Sequence, residues 1–294
     1  GRHPFWVKTT KRSWKSAATT PRGSRPCVTG VSSEADPPAA TGIYRLPEIF
    51  LPSPKQIRLI HTSDIHLGDK AGHPAAAPAF HSVVSSVSGL NGDALLMVGD
   101  IFDNDRIGDD VLEFFLAQIS RLDVPAVVLP GNHDLLDANS VYNRAPFQRK
   151  PDNLHIISQN GGEAIALNDL TLDLWGRAML SHTPQFRPLE GMPPKNSDRW
   201  LVAMAHGHFH VEGDIDVRSS PIYPEDVAGA SCDYLALGHW DRHVDVSQGR
   251  LTAVYSGTAR GPATNDPVAE VTVVDLDPNG GVKYHQASLQ SAPR

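Results

Sequence analysis

Residues 94–103 read Ala94-Leu95-Leu96-Met97-Val98-Gly99-Asp100-Ile101-Phe102-Asp103, an unbroken apolar run closed by a glycine and a carboxylate. An apolar run of strand length that ends at a turn residue is the pattern of a strand covered on both faces. Before it, Phe80, Val83, Val84 and Val87 recur at the spacing of one helix face. After it, Leu112, Phe115, Leu116, Ile119 and Leu122 do the same, with Asp109 and Asp110 at the start, where carboxylates cap free amides and suit the helix dipole. Gln56 to Ile60 and Val124 to Leu129 are strand-like on the outer sides. The order β-α-β-α-β predicts an α/β fold whose sheet is at least partly parallel.

The second half is richer in strands. Ala164 to Leu174 reads as a hairpin around Asn168-Asp169, and Leu201 to Ala205 and Tyr234 to Leu237 are buried runs. Leu251 to Tyr255 and Val271 to Leu276 follow, and Pro278-Asn279-Gly280-Gly281 is a turn before a final strand. There is no internal repeat. The chain has 294 residues, 40% apolar and 20% charged, which suits a globular body with a sizeable core. No apolar run approaches the ~18 residues of a membrane helix, so no membrane partner is expected.

Charge is uneven. Residues 1–55 hold nine Lys/Arg against three Asp/Glu, a surplus of +6, and the remainder holds seventeen against thirty, or −13, giving the formal −7 of the whole. An acidic body has no overall electrostatic footprint for nucleic acid, although a local basic groove stays open. Residues 1–55 also carry eight of the 24 prolines and no sustained periodicity. They are expected to be an extension without a regular fold, a disordered tail or misassigned start before a domain at 56–294. The Ser/Thr-rich, acid-free stretch from Lys8 to Arg25 also has the composition of a transit peptide. Two cysteines, Cys27 and Cys232, make neither a disulfide framework nor a zinc cluster and suit a reducing cytoplasm.

Chemistry gathers just after the buried strands, where open α/β sheets collect ligands. Asp64 and His66 follow the first, Asp100 and Asp103 the second, and Asn132, His133 and Asp134 the third. His206 ends the fourth, and His239 follows the fifth, with Asp241 and His243 nearby. A single polar residue at a strand end is ordinary turn chemistry. Carboxylate, amide and imidazole donors at five strand ends exceed what one ion requires and suit two divalent ions bound by oxygen and nitrogen, such as Mn, Fe or Zn.

In order and spacing, Asp64-Ile65-His66, Gly99-Asp100-Ile101-Phe102-Asp103, Gly131-Asn132-His133-Asp134, Ala205-His206-Gly207 and Gly238-His239 resemble the calcineurin-like metallophosphoesterase superfamily over residues 56–276. Asp64 to Gly68 and Asp233 to His239 look most like its DNA-repair exonuclease branch. The resemblance implies a four-layer α/β/β/α sandwich of two mixed β-sheets. It also implies a metal-dependent phosphoric ester hydrolase that attacks phosphodiester bonds through a metal-bridging hydroxide. Asp64 and His66 would hold the first metal, Asp100 would bridge both, and Asn132, His206 and His239 would complete the second. His133 would assist the leaving group, oriented by Asp103. Physical chemistry agrees, since two close cations neutralise a phosphate and acidify a water between them, and an imidazolium can protonate a leaving oxygen.

One departure stands out. Where the family continues Gly-His-x-His, this chain reads Gly238-His239-Trp240-Asp241. In an extended segment residues 239, 241 and 243 share a side, so Asp241 or His243 would complete the first metal site, or water would. Asp241 would make that site harder and favour Mn, Fe or Mg over Zn, with Mn the leading expectation. The substrate is a phosphoester, with nucleic acid one candidate. The alternatives are a phosphomonoesterase and a noncatalytic metal-binding scaffold on the same fold. Few residues follow the last family-like strand, so counterparts of the substrate-capping and partner-docking segments of repair nucleases are not expected in the sequence given.

Overall fold

A computed structural model of the chain describes residues 54–69, 75–211, 213, 218–259 and 269–289. The extension expected over residues 1–55 lies outside these except for its last two residues, and so do Cys27 and the transit-like stretch.

Along the chain come β1 (Ile57–Thr62), α1 (Ala76–Gly89), β2 (Ala94–Val98), α2 (Asp109–Ile119), β3 (Ala126–Leu129) and β4 (Leu154–Ile156). Then follow β5 (Glu163–Leu167), β6 (Leu172–Gly176), β7 (Trp200–His206), β8 (His208–Phe209), β9 (Pro221–Ile222) and α3 (Pro224–Gly229). The chain continues through β10 (Tyr234–Gly238), β11 (Val244–Asp245), β12 (Thr252–Tyr255), β13 (Ala269–Asp277) and β14 (Gly281–Leu289). One sheet has the order β14-β13-β1-β2-β3-β4, the other β11-β12-β10-β7-β6-β5, and β8 pairs with β9 alone. In the first sheet β1 to β4 are parallel and β13 and β14 antiparallel. In the second, β6, β7, β10 and β12 are parallel, and β5 and β11 run antiparallel at the edges.

Strand alternation builds the layers. Leu95 and Met97 of β2 pack toward α1 and α2, beside Phe80, Val83, Leu112, Phe115 and Ile119. Ala94, Leu96 and Val98 of the same strand point the other way, against Val202 and Met204 of β7 and Tyr234 and Ala236 of β10. From those second-sheet strands Leu201, Ala203, Ala205, Leu235 and Leu237 face outward to Ile222 and to Val227 of α3. Three apolar interfaces therefore separate four layers: helices, sheet, sheet, and a thin outer layer of α3 with its loops. The central strands are apolar throughout because both faces are covered. Asp109 and Asp110 lie in the first turn of α2 behind Gly108, whose place before the helix supplies no side-chain cap, so their contribution is to the dipole.

Candidate metal centre

The five strands that carry the chemistry-bearing residues end together. β1, β2 and β3 are parallel neighbours, and in the facing sheet β7 pairs with β10 so that His206 stands opposite Gly238. Beyond the strands the first two loops stay knitted: Asp64 N donates to Gly99 O at 3.0 Å, His66 N to Asp100 O at 3.0 Å and Leu67 N to Ile101 O at 2.8 Å. Asp64, His66 and Asp100 all adopt positive φ, at 53°, 55° and 53°. That conformation is uncommon outside glycine, though Asp and His tolerate it better than most, and its strain is held by the surrounding packing. Two glycines are explained by close approach. A Cβ on Gly99 would lie 2.0 Å from His206 Nδ1, and one on Gly131 would lie 2.2 Å from Asp100 Oδ1. Only a missing side chain lets these loops close around the donors.

Three donor groups result: two of them share Asp100, and the third joins His66 to Asp103 and His133. Ligand atoms of Asp64, His66 and Asp100 lie within 4.8 Å of one another, as do those of Asp100, His206 and His239. Asn132 Oδ1 joins the second group, 3.1 Å from His206 Nε2 and 2.9 Å from His239 Nδ1. His206 is oriented from behind, its Nδ1 donating to the Val98 carbonyl at 2.9 Å. Its Nε2 therefore faces Asn132 Oδ1 and, at 3.3 Å, Asp100 Oδ2. Oxygen and nitrogen lone pairs converging on one point in a buried site need a cation there, so the donor set fits a divalent metal.

Without a metal, a proton serves as that cation. Burial opposes charge on His206, but the Asp100 carboxylate outweighs it and lifts the imidazole to about 10. Burial likewise opposes charge on Asp100, and the His206 imidazolium outweighs it, holding the carboxyl below its ordinary value. Asp64 is pushed up to about 7, by burial first and then, after a counteracting His206, by the Asp100 charge. His239 is pushed down to about 3 by burial and the His206 charge, which leaves it neutral. The sign follows: a cation must displace protons from His206 and Asp64, so metal affinity should climb with pH up to about 10, more steeply below about 7 where both groups hold a proton. Calorimetry of Mn²⁺ binding near pH 7, in buffers of different ionisation enthalpy, should report between one and two protons released per protein, one from His206 and about half of one from Asp64. Heats that do not depend on the buffer would show that the site carries no such proton.

His133 and Asp103 stand beside the first group. The His133 ring meets His66 edge-on at 4.6 Å between centroids, and its side chain is 44% exposed. Its orientation comes from Asp103, through a different atom than the one a triad would use. His133 Nδ1 donates to the Asp103 main-chain carbonyl at 2.8 Å, while the Asp103 carboxylate lies 3.8 Å from it and 3.5 Å from His66 Nδ1. That bond keeps a proton on Nδ1, and Nε2 is the nitrogen it leaves unengaged.

Asp134, for which the sequence suggests no role of its own, ties the loops together. Its buried carboxylate accepts from the amides of Asp100 (3.2 Å), Ile101 (2.9 Å), Phe102 (3.2 Å) and Gly131 (2.6 Å) and from the Tyr142 hydroxyl (2.7 Å). Asp100 is thus fixed by its own backbone, and Asp100 Oδ1 in turn accepts from His133 N at 2.9 Å.

Asp241 and His243 are not brought to the centre. His239 has φ 110°, β10 ends at Gly238 and β11 begins only at Val244, so the strand alternation that would align residues 239, 241 and 243 is broken. Asp241 is exposed, with its main-chain carbonyl accepting from Thr258 N at 3.1 Å, and it joins none of the donor groups among the described residues. His243 Nδ1 lies 3.3 Å from Thr272 Oγ1. Trp240 is a wall: its ring stacks on Tyr255 at 4.5 Å and its indole N–H donates to His208 Nδ1 at 3.3 Å. His61 packs in the sheet with Nδ1 2.9 Å from the Tyr234 hydroxyl. His182, in the loop between β6 and β7, lies edge-on to His239 at 5.7 Å, and no spacing in the sequence foretold it.

Comparison with known proteins adds four findings. The sequence profile of the family described as Calcineurin-like phosphoesterase matches residues 57–241. The chain is similar to one of the subunits of the nuclease SbcCD of Bacillus subtilis, 24% identical over 275 residues that cover 80% of this chain and 70% of that protein. It is also similar to a probable cyclic nucleotide phosphodiesterase of Pseudoalteromonas sp., 32% identical over 117 residues, 38% of this chain and 43% of that protein. Among solved structures, a dimetal phosphatase from Danio rerio superposes with a TM-score of 0.53 at 10% identity, covering 80% of this chain and 99% of that one, a likeness of fold.

Proposed function

The chain belongs to the calcineurin-like phosphoesterase family and is a metal-dependent phosphoesterase, and from that premise we propose that it cleaves phosphodiester bonds, nucleic acid among its candidate substrates. The observation that carries this reading is the pair of donor groups sharing Asp100, with the exposed His133 at their edge. The two sequence relatives carry names that differ in substrate but have the phosphodiester bond in common.

We assign the residues as follows. Asp64, His66 and Asp100 hold one divalent cation, and Asp100, Asn132, His206 and His239 hold the other. When bound, the pair neutralises the phosphoester and lowers the pKa of a water between them. Asp100 supplies the shared negative charge, and Asn132 adds an oxygen without adding another. As an imidazolium, with one N–H held by the Asp103 carbonyl, His133 would give the Nε2 proton to the leaving oxygen and be left neutral with its proton on Nδ1. Asp103 acts as the positioning residue. The first group, two carboxylates and one imidazole, is the harder of the two, and we propose Mn²⁺ as its working ion. We place the protein in the cytoplasm, on the strength of two cysteines too few for a disulfide framework.

The test is hydrolysis of bis(p-nitrophenyl) phosphate by chelator-stripped protein before and after Mn²⁺. We expect no turnover without metal and at least ~100-fold recovery with it. p-Nitrophenyl phosphate, single-stranded DNA and a cyclic nucleotide then sort the substrate class. Folded protein that binds Mn²⁺ and hydrolyses only the monoester would replace the diester reading with a phosphatase. No turnover of any of these substrates would favour a scaffold.

A further inference from the structure

The third donor group, His66, Asp103 and His133, is left over once the two groups that share Asp100 have each been given a cation. It offers two imidazoles and one carboxylate, where the first group offers one imidazole and two carboxylates. His66 Nδ1 lies 3.5 Å from Asp103 Oδ1, and His133 Nδ1 lies 3.8 Å from the same oxygen. A four-coordinate zinc ion with bonds of about 2.0–2.2 Å sets its donors about 3.3–3.6 Å apart, so both pairs need little closing to hold one. The group also has a way in. His66 is buried at its back, Asp103 is half-buried, and the His133 side chain is 44% exposed, so the seat opens to solvent. A cation on His133 Nδ1 replaces the hydrogen bond to the Asp103 carbonyl, and that bond is what the seat gives up.

His66 belongs to the first group as well as to the third. An imidazole binds a cation through one lone-pair nitrogen while its other nitrogen carries a hydrogen, so it serves one cation at a time. The two groups are therefore alternative seats for a single ion, and their donors decide which ion takes which. Oxygen-rich donors suit Mn²⁺, and an imidazole-rich set with an open position suits Zn²⁺. We propose that His66, Asp103 and His133 form a zinc-selective seat that competes with the first group for His66, and that a zinc ion held there silences the enzyme. Such an ion ties up the imidazole that serves the leaving oxygen. It also draws one cation away from Asp100, so the two ions no longer share a bridge. The seat stands on the donor groups alone, whereas its effect on turnover rests on the phosphoesterase reading.

Metal binding tests the seat without turnover. The chelator-stripped full chain is titrated at pH 8 with ZnCl₂ or MnCl₂ in competition with a chelating dye, for the wild type, His133→Phe, His133→Gln and Asp64→Asn. The wild type should take two ions of either metal. Both His133 variants should bind one of their two Zn²⁺ at least about tenfold more weakly, the lower end of what even an outer partner of a metal site contributes, and should hold both Mn²⁺ as the wild type does. Asp64→Asn should do the reverse, releasing one Mn²⁺ and keeping both Zn²⁺. Phe and Gln differ in shape and polarity, so a zinc loss common to both belongs to the missing imidazole. Wild-type Zn²⁺ affinity in the His133 variants would overturn the proposal, as would an Asp64→Asn protein that loses Zn²⁺ and Mn²⁺ alike. Zn²⁺-loaded wild type should turn over a diester at least about a hundredfold more slowly than Mn²⁺-loaded protein, the loss expected when an acid group is tied up, and equal turnover would overturn the silencing. Variants that part the two metals as expected, in a protein that hydrolyses no diester with Mn²⁺, would keep the seat and sink the diester reading.

Discussion

Asp100→Asn is expected to fold as the wild type does, to retain fewer than two Mn²⁺ per chain and to lower kcat/KM for a phosphodiester at least about a thousandfold. Asp100 is the one side chain present in both donor groups, so its charge acts on two cations at once. Asparagine keeps the shape, and its amide oxygen can still accept from His133 N, the bond that Asp100 Oδ1 makes at 2.9 Å. What it removes is the anion that offsets two close positive charges. A thousandfold corresponds to about 4 kcal/mol at about 1.36 kcal/mol per decade. The metal-free protein should respond as well. His206 owes its lift to about 10 to the Asp100 carboxylate, against burial, so in the variant the buried imidazole should lose its proton near neutral pH. Asp64→Asn offers the contrast, since Asp64 belongs to one group only and its variant should keep one ion. Metal analysis of the dialysed proteins decides the matter. Two ions in Asp100→Asn, with activity within tenfold of wild type, would mean that Asp100 is no bridge.

The convergence of these donors is legible in the sequence for a simple reason. Each follows a buried parallel strand, and parallel neighbours end on the same edge, so position along the chain translates directly into proximity. The central strands are equally legible, because runs such as Ala94 to Val98 are apolar at every position only when both faces are covered. Periodicity gives a mixed α/β protein, and the facing of two sheets came from the family resemblance. β4, β8, β9 and α3 escape because they span two to six residues, too short for a period to register. The Asp241 expectation misled for a local reason: it assumed an extended chain through residue 239, and a positive φ at a non-glycine residue leaves no mark in the sequence. Asp103 was expected beside His133 and stands there, but which of its atoms holds the ring is decided by loop closure rather than by spacing. His182 reaches the centre from a loop between two strands of the second sheet, a contact that only the assembled sandwich creates.

Asp134 carries the largest expected effect on stability. Its carboxylate collects four backbone amides and the Tyr142 hydroxyl at 2.6 to 3.2 Å, in a site where it is 2% exposed. Burial, and after it the nearby Asp100 charge, pushes the Asp134 carboxyl upward, so the ionised group is retained only because the donors surround it. Alanine would leave those donors facing a cavity. Each buried unsatisfied donor costs about 1–3 kcal/mol, and with water entering to satisfy some of them the loss should be about 3–5 kcal/mol. Asparagine should do little better, because its NH₂ would point a donor at donors. Tyr142→Phe removes one partner of five and should cost only about 1 kcal/mol. Urea unfolding in the presence of EDTA isolates this effect, since bound metal would otherwise add its own linkage to the folded state. The consequence for function is separable. Asp134 belongs to none of the donor groups among the described residues, but it holds the amides of Asp100, Ile101 and Phe102 and that of Gly131, the backbone from which Asp100 and Asn132 project. Asp134→Ala protein that remains folded should therefore bind Mn²⁺ more weakly as well as unfold earlier. A variant within about 1 kcal/mol of wild type, with unchanged metal affinity, would show that the loops are held together by packing alone.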